Sequence, residues 1–143
     1  MSKHLYLVIA MVLFASLAVS AQHGKILNKD FSIDAYNSVE FDLYGETHYE
    51  QWEADYILVE TTVKVWDTPK QVFTDHINKG RYYCELKSTD DVAKIRAVPV
   101  ERRSLSVRES VVSVVYYPNS FVMSDSKIVR QEPVLSSKEE KEK

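Results

Sequence analysis

The stretch from Asp55 to Asp67 constrains this chain more than any other. Ile57, Val59, Thr61, Val63 and Val65 alternate strictly with Tyr56, Leu58, Glu60, Thr62, Lys64 and Trp66. A period of two places successive side chains on opposite faces of a β-strand. The first set is wholly β-branched, the shape that packs well on a pleated surface. A strand with one dry face must be covered by a second layer, so the chain is committed to packed sheets.

The same alternation recurs along the chain. Val39, Phe41 and Leu43 oppose Glu40, Asp42 and Tyr44, and Tyr82, Cys84 and Leu86 oppose Tyr83 and Glu85. Ala93, Ile95 and Ala97 alternate with Lys94 and Arg96, and Pro99 ends that strand or puts it at an edge. Leu105 to Arg108 and Val111 to Tyr117 read as two further strands, closed by Pro118-Asn119. Thr89-Asp90-Asp91 reads as a turn and Glu101-Arg102-Arg103-Ser104 as a polar connection.

One segment breaks the rhythm. Thr68 can cap a helix, Pro69 suits its first position, and Gln71 stands where a capping box needs it. Val72, Phe73, His76 and Ile77 recur at helical spacing, and Lys79-Gly80 supplies a basic end and a stop. The pattern predicts one short α-helix over about 68–79, packed by Val72, Phe73 and Ile77, with His76 a boundary residue satisfied at one nitrogen. With seven or eight strands and one helix, the expected class is mainly β: a two-layer β-sandwich or a short β-solenoid. Parallel strands joined by successive helices are excluded by the single helix.

The front of the chain reads as an address. Met1-Ser2-Lys3-His4 precedes an apolar run from Leu5 to Val19, followed by Ser20-Ala21-Gln22. A basic start, a short apolar core and small residues before a cut are the parts of a secretory signal peptide. The run is shorter than the ~20 residues a spanning helix needs, so cleavage is expected after Ala21, with no integral membrane segment in what remains. The organisation that follows is a signal peptide over 1–21, a loose polar lead-in over 22–30 and a single β-rich domain over 31–123. Residues 124–143 form a charged tail, expected to be disordered. The exported product is assigned to the periplasm, the cell surface or the medium. Cys84 is the one cysteine, and no Asn-X-Ser/Thr acceptor occurs. An exported chain without disulfides or glycan sites is most simply bacterial.

Chemistry finds little to stand on. A net charge of −3 over 143 residues offers no field for phosphates, so no nucleic-acid partner is expected. A nucleophile needs a base, yet His23, His48 and His76 fall in no nucleophile motif. No metal-ligand spacing is present, and Asp90-Asp91 is more simply a turn. No catalytic residue, metal or cofactor is therefore expected. Carboxylate pairs such as Asp30 with Asp34, or Glu50 with Glu53, leave a carboxylate hydrolase as the least favoured reading. Cys84 alternates onto an apolar face and reads as a small buried hydrophobe. An outer-membrane barrel fits poorly, because the strands vary in length and a helix interrupts them.

The aromatic residues are the remaining signal. Trp52, Trp66, Tyr44 and Tyr83, with Tyr56, fall on or near faces that otherwise carry charge. Rings on a sheet surface can stack on sugars or mate with a protein partner. They can equally pair across strands and stabilise the sheet.

Phe31-Ser-Ile-Asp-Ala-Tyr-Asn-Ser-Val39, Trp52, Tyr56-Ile-Leu-Val-Glu60, Gly80-Arg-Tyr82 and the run from Arg108 to Pro118 resemble exported bacterial adhesin-like proteins that carry the head GIN domain. The resemblance spans about Phe31 to Phe121. It implies a β-solenoid or related all-β build and a surface-binding role, and it hands over no catalytic residues. The expected function is that of an exported, non-enzymatic, adhesin-like envelope module meeting a cell-envelope glycan or protein. The alternative is a β domain that binds a carbohydrate or small ligand through its exposed aromatics.

Overall fold

The computed structural model describes residues 22–89, 92–99 and 108–131. The chain forms β1 (Gln22–Ser32), β2 (Ser38–Asp42), β3 (Glu46–Trp52), β4 (Tyr56–Trp66), α1 (Lys70–Asn78), β5 (Cys84–Thr89), β6 (Val92–Ala97), β7 (Arg108–Pro118), β8 (Phe121–Ser124) and β9 (Lys127–Arg130). A four-stranded sheet runs β1-β4-β7-β3 and a five-stranded sheet runs β5-β6-β2-β9-β8. Both are mixed: β3 lies parallel to β7 and β2 to β6, and the other pairs are antiparallel. Among the described residues the fold is a mainly β sandwich with one short helix, and neither sheet closes into a barrel. A solenoid would stack repeated coils; here each sheet gathers strands from distant parts of the chain.

The alternating face of β4 is divided between two covers. Ile57 and Val59 pack with Phe31, Val115 and Tyr117 against Val39, Phe41, Ala93, Ile95, Phe121 and Ile128 of the five-stranded sheet. Val63 and Val65 instead meet Phe73 and Ile77 of α1, with Tyr82 and Val111. Between them Thr61 and Ser113 face each other, both buried, their hydroxyl oxygens 2.9 Å apart.

Several local expectations are corrected. The lead-in over 22–30 is not loose: it forms most of β1, paired with β4 along its whole length from Gln22↔Trp66 to Ser32↔Tyr56. Its polarity is that of an edge strand, with Lys25 and Lys29 exposed on the same face as their cross-strand partners Val63 and Val59. Inward charges of this kind keep an open edge from pairing with other chains. Strand β9 lies inside the segment read as a tail and buries Ile128. Arg108 belongs to the same strand as Tyr117, not to a separate one. The signal peptide, Asp90-Asp91, the 101–104 connection, Leu105 to Val107 and the end of the tail lie outside the described residues.

The helix begins later than expected. Pro69 stands at its N-cap without a side-chain cap, so Thr68 is one residue too early and its Oγ1 donates to the Trp66 carbonyl instead. Phe73 and Ile77 are buried as expected, whereas Val72 is exposed. His76 Nδ1 is buried without a hydrogen-bond partner among the described residues. The stop forms as read: Gly80 takes φ +75° and its N–H donates to the Ile77 carbonyl.

Candidate interaction surface

The outer face of the four-stranded sheet is built by the residues that alternate away from both cores. Register sets them in rows: Ile26, Thr62, Val112 and Glu46, then Asn28, Glu60, Val114 and His48, then Asp30, Leu58, Tyr116 and Glu50. Gln22, Trp66 and Arg108 form the row at one end, while Ser32, Tyr56 and Trp52 lie at the other. An apolar band crosses it along β7 and reaches Leu58 and Ile26. Ile26 is 59% exposed, and Leu58, Val112, Val114 and Tyr116 are only half-buried.

Strand β7 explains why. From Val111 to Tyr117 it is apolar on both faces, and the one hydroxyl residue of that stretch other than tyrosine, Ser113, points inward. A near-continuous apolar run is the pattern of a strand buried on both sides. That absence of alternation is the signal by which Val112, Val114 and Tyr116 could have been found in the sequence.

At one end an aromatic corner forms. The Trp52 ring lies 4.8 Å from Tyr56 and 5.6 Å from Tyr116, centroid to centroid. Trp52 Nε1 donates to the Tyr56 carbonyl at 2.9 Å, which fixes the indole in place. Trp66 lies at the opposite end, about 33 Å away at the rise of an extended strand, with the Arg108 guanidinium 5.4 Å above its ring. The two tryptophans share a face but not a site. Asp30, Glu50 and Glu60 lie toward the Trp52 end, Lys64 and Arg108 toward the Trp66 end.

Tyr44 and Tyr83 are not on this face. Tyr83 is exposed beside Gly80 at the start of β5. Tyr44 is turned inward and its hydroxyl donates to Glu109 Oε1 at 2.6 Å. Arg81 Nη2 reaches the same oxygen at 3.2 Å, and the Tyr82 hydroxyl donates to Oε2 at 2.7 Å. Burial raises the Glu109 carboxyl, but these three donors and the Arg81 charge outweigh it and hold the group below its ordinary value. Burial and the Glu109 hydrogen bond push the Tyr82 hydroxyl well up. Sequence reasoning missed this cluster, because Glu109 lies 27 residues beyond Tyr82 and no local spacing joins them.

The cluster mixes an acid, a cation and phenols, as chemical sites do, yet its geometry binds the carboxylate inward. Both Glu109 oxygens are engaged. The neighbouring cavity, lined by Arg81, Tyr82, Thr61, Ser113 and Cys84, measures about 10 Å³, room for one water. Among the described residues no group of three or more His, Cys, Asp or Glu could hold a metal ion, and no helix is long and apolar enough to cross a membrane. The carboxylates read as acid–base pairs in the sequence, Asp30 with Asp34 and Glu50 with Glu53, are all exposed.

The described residues thus define a mixed β-sandwich with one uncovered, partly apolar sheet face. No family model matches the chain, and no curated protein matches it. A solved structure of a protein assigned as an adhesin, from Parabacteroides merdae, aligns with 65% of this chain and 32% of its own at 18% identity, with a TM-score of 0.30. The chain spans about a third of that protein's length.

Proposed function

We propose that this chain is an exported, non-enzymatic bacterial module that works by surface contact, in the manner of an adhesin-like envelope component. The outer face of the four-stranded sheet carries the reading. It sets Ile26 and Tyr56 in the open, with Val112, Val114, Trp52 and Tyr116 half-exposed beside them, on rigid strands. Contiguous apolar surface rimmed by charge is a feature of interaction sites, and strands hold it without an ordering cost on binding.

Binding of the purified exported chain to envelope fractions, cell-wall glycan and outer-surface protein assayed separately, tests the reading. Retention by one fraction, lost in Ile26→Lys with the thermal melt unchanged, is the expected result. Equal retention of both forms, or none, would overturn it. The mass of the exported chain tests the address, with loss of residues 1–21 expected.

The carbohydrate reading is favoured by one observation, the fixed Trp52 indole beside Tyr56 and Tyr116. It expects tryptophan fluorescence to respond to a glycan in a way that Trp52→Ala abolishes.

A further inference from the structure

Charge and area on the outer face of the four-stranded sheet select an occupant for it. We infer that the face pairs with the same face of a second copy of this chain, with the strands of the two copies running in opposite directions. The inference rests on the reading of that face as a contact surface and names its partner.

Polarity along the strands carries the argument. Lys64 and Arg108 stand near one end, while Asp30, Glu50 and Glu60 stand from the centre toward the other; Glu46, on the short edge strand β3 just to the basic side of the centre, is the exception and lies 3.0 Å from His48. Stacking two copies with strands in the same direction sets like charge over like, which is costly across a desolvated contact. A two-fold axis lying across the strands, level with Thr61 and Ser113, reverses one copy against the other. Each strand then lies on its own counterpart. Val112 meets Val114, and Trp66 comes over Tyr56. Lys64 comes over the row that holds Asp30 of the second copy, where Gly24 leaves space beside it. Aligned packing of two sheet faces is an ordinary β-sandwich arrangement.

Area agrees. Three strands of eleven residues and one of seven, at ~4.8 Å spacing and ~3.3 Å rise, cover about 630 Å² per copy, within the roughly 600–1,000 Å² a side that stable interfaces take. A stable interface of standard size takes about 800 Å² from each partner. Ile26, Val112 and Val114 fall in the middle of this face with Glu60 among them, while Lys64, Arg108, Asp30 and Glu50 stand toward its rim, so most of its charge is distributed as interfaces show.

Sedimentation equilibrium of the purified exported chain over roughly 1–100 µM tests the pairing. The expected result is a concentration-dependent dimer. Ile26→Lys, a change at an exposed position, should make it monomeric, with a melting temperature that no longer depends on concentration and equals that of the dilute parent. Lys64→Glu should weaken the dimer about tenfold, and Lys64→Glu with Asp30→Lys should restore it to within about threefold. A monomer throughout, a dimer indifferent to Ile26→Lys, or a charge swap that does not restore association would each overturn the inference. A monomer that still binds an envelope fraction, and loses that binding in Ile26→Lys, ends the pairing and leaves the contact function standing. If that monomer also binds no fraction, the contact function falls with it.

Discussion

Thr61 and Ser113 stand directly opposite each other on β4 and β7, with their hydroxyl oxygens 2.9 Å apart and both side chains buried. On one side of this pair Ile57, Val59 and Val115 pack under the five-stranded sheet; on the other Val63, Val65 and Val111 pack with α1. A buried hydroxyl needs a partner, and each supplies the other's. The pair lets one long strand change cover in mid-course without stranding a polar group.

The asymmetry of buried hydrogen bonds predicts how this seam responds to substitution. Thr61→Val leaves the Ser113 hydroxyl unpartnered and should cost about 1–2 kcal/mol. Thr61→Val combined with Ser113→Ala removes both polar groups and should return stability to within about 0.5 kcal/mol of the parent. Urea midpoints of the three variants measure it; a double variant worse than the sum of its singles would contradict the account.

The Glu109 cluster predicts a pH response with a definite sign. Its carboxyl is held below its ordinary value of 4.5 in the folded chain. The stabilisation is therefore fully present above the unfolded value and is lost as pH falls through the folded one. Glu109→Gln leaves the Arg81 cation buried without a counter-charge and should cost about 3 kcal/mol at neutral pH. Between pH 7 and pH 3 the urea midpoint of the parent should fall further than that of Glu109→Gln. Parallel acid profiles for the two would remove the carboxylate from its role.

Gly45 is held by its surroundings as much as by its backbone. At φ +87°, a Cβ there would overlap the Val111 carbonyl oxygen. Gly45→Ala should therefore cost about 3 kcal/mol, combining the left-handed penalty with displacement of β7. Gly24 is the control: its Cβ would meet the Val63 carbonyl oxygen at 3.4 Å, an ordinary contact, so Gly24→Ala should change stability by no more than about 0.5 kcal/mol. Thermal melts of the pair read the difference.

What the sequence reveals here follows burial. Strand β4 is legible because its inner face is uniformly β-branched, and α1 because Phe73 and Ile77 recur on one side. Strand β1 is hidden because an edge strand satisfies only one row of backbone groups and buries few side chains, so its Lys25, Lys29 and Asn28 read as loop. The short β9 buries Ile128 alone and shows no period. Trp52 and Trp66 do lie on one outer face, as alternation implies, but alternation cannot place them at opposite ends of it. Tyr44 alternates outward on paper, yet the bend between β2 and β3 turns it in to Glu109, a partner 65 residues away that no local spacing could supply.

Cys84 gives a chemical test of the same packing. It lies half-buried against the core between the sheets, and burial pushes its thiol up to about 11, against smaller opposing effects of a backbone hydrogen bond and the Lys29 charge. The thiolate is the reacting form. At pH 8 a thiol of that acidity is ionised to about one part in a thousand, whereas a free cysteine near 8.5 is about one quarter ionised. Alkylation of the folded chain should therefore run at least about a hundredfold slower than that of a small free thiol. The rate should climb about tenfold per pH unit up to pH 10, as long as the fold holds. In strong denaturant the difference should vanish, since the unfolded cysteine regains water and its ordinary acidity. Rapid labelling of the folded chain at pH 8 would mean that the seam around Cys84 opens often, and that the two sheets are held together less firmly than their shared core implies.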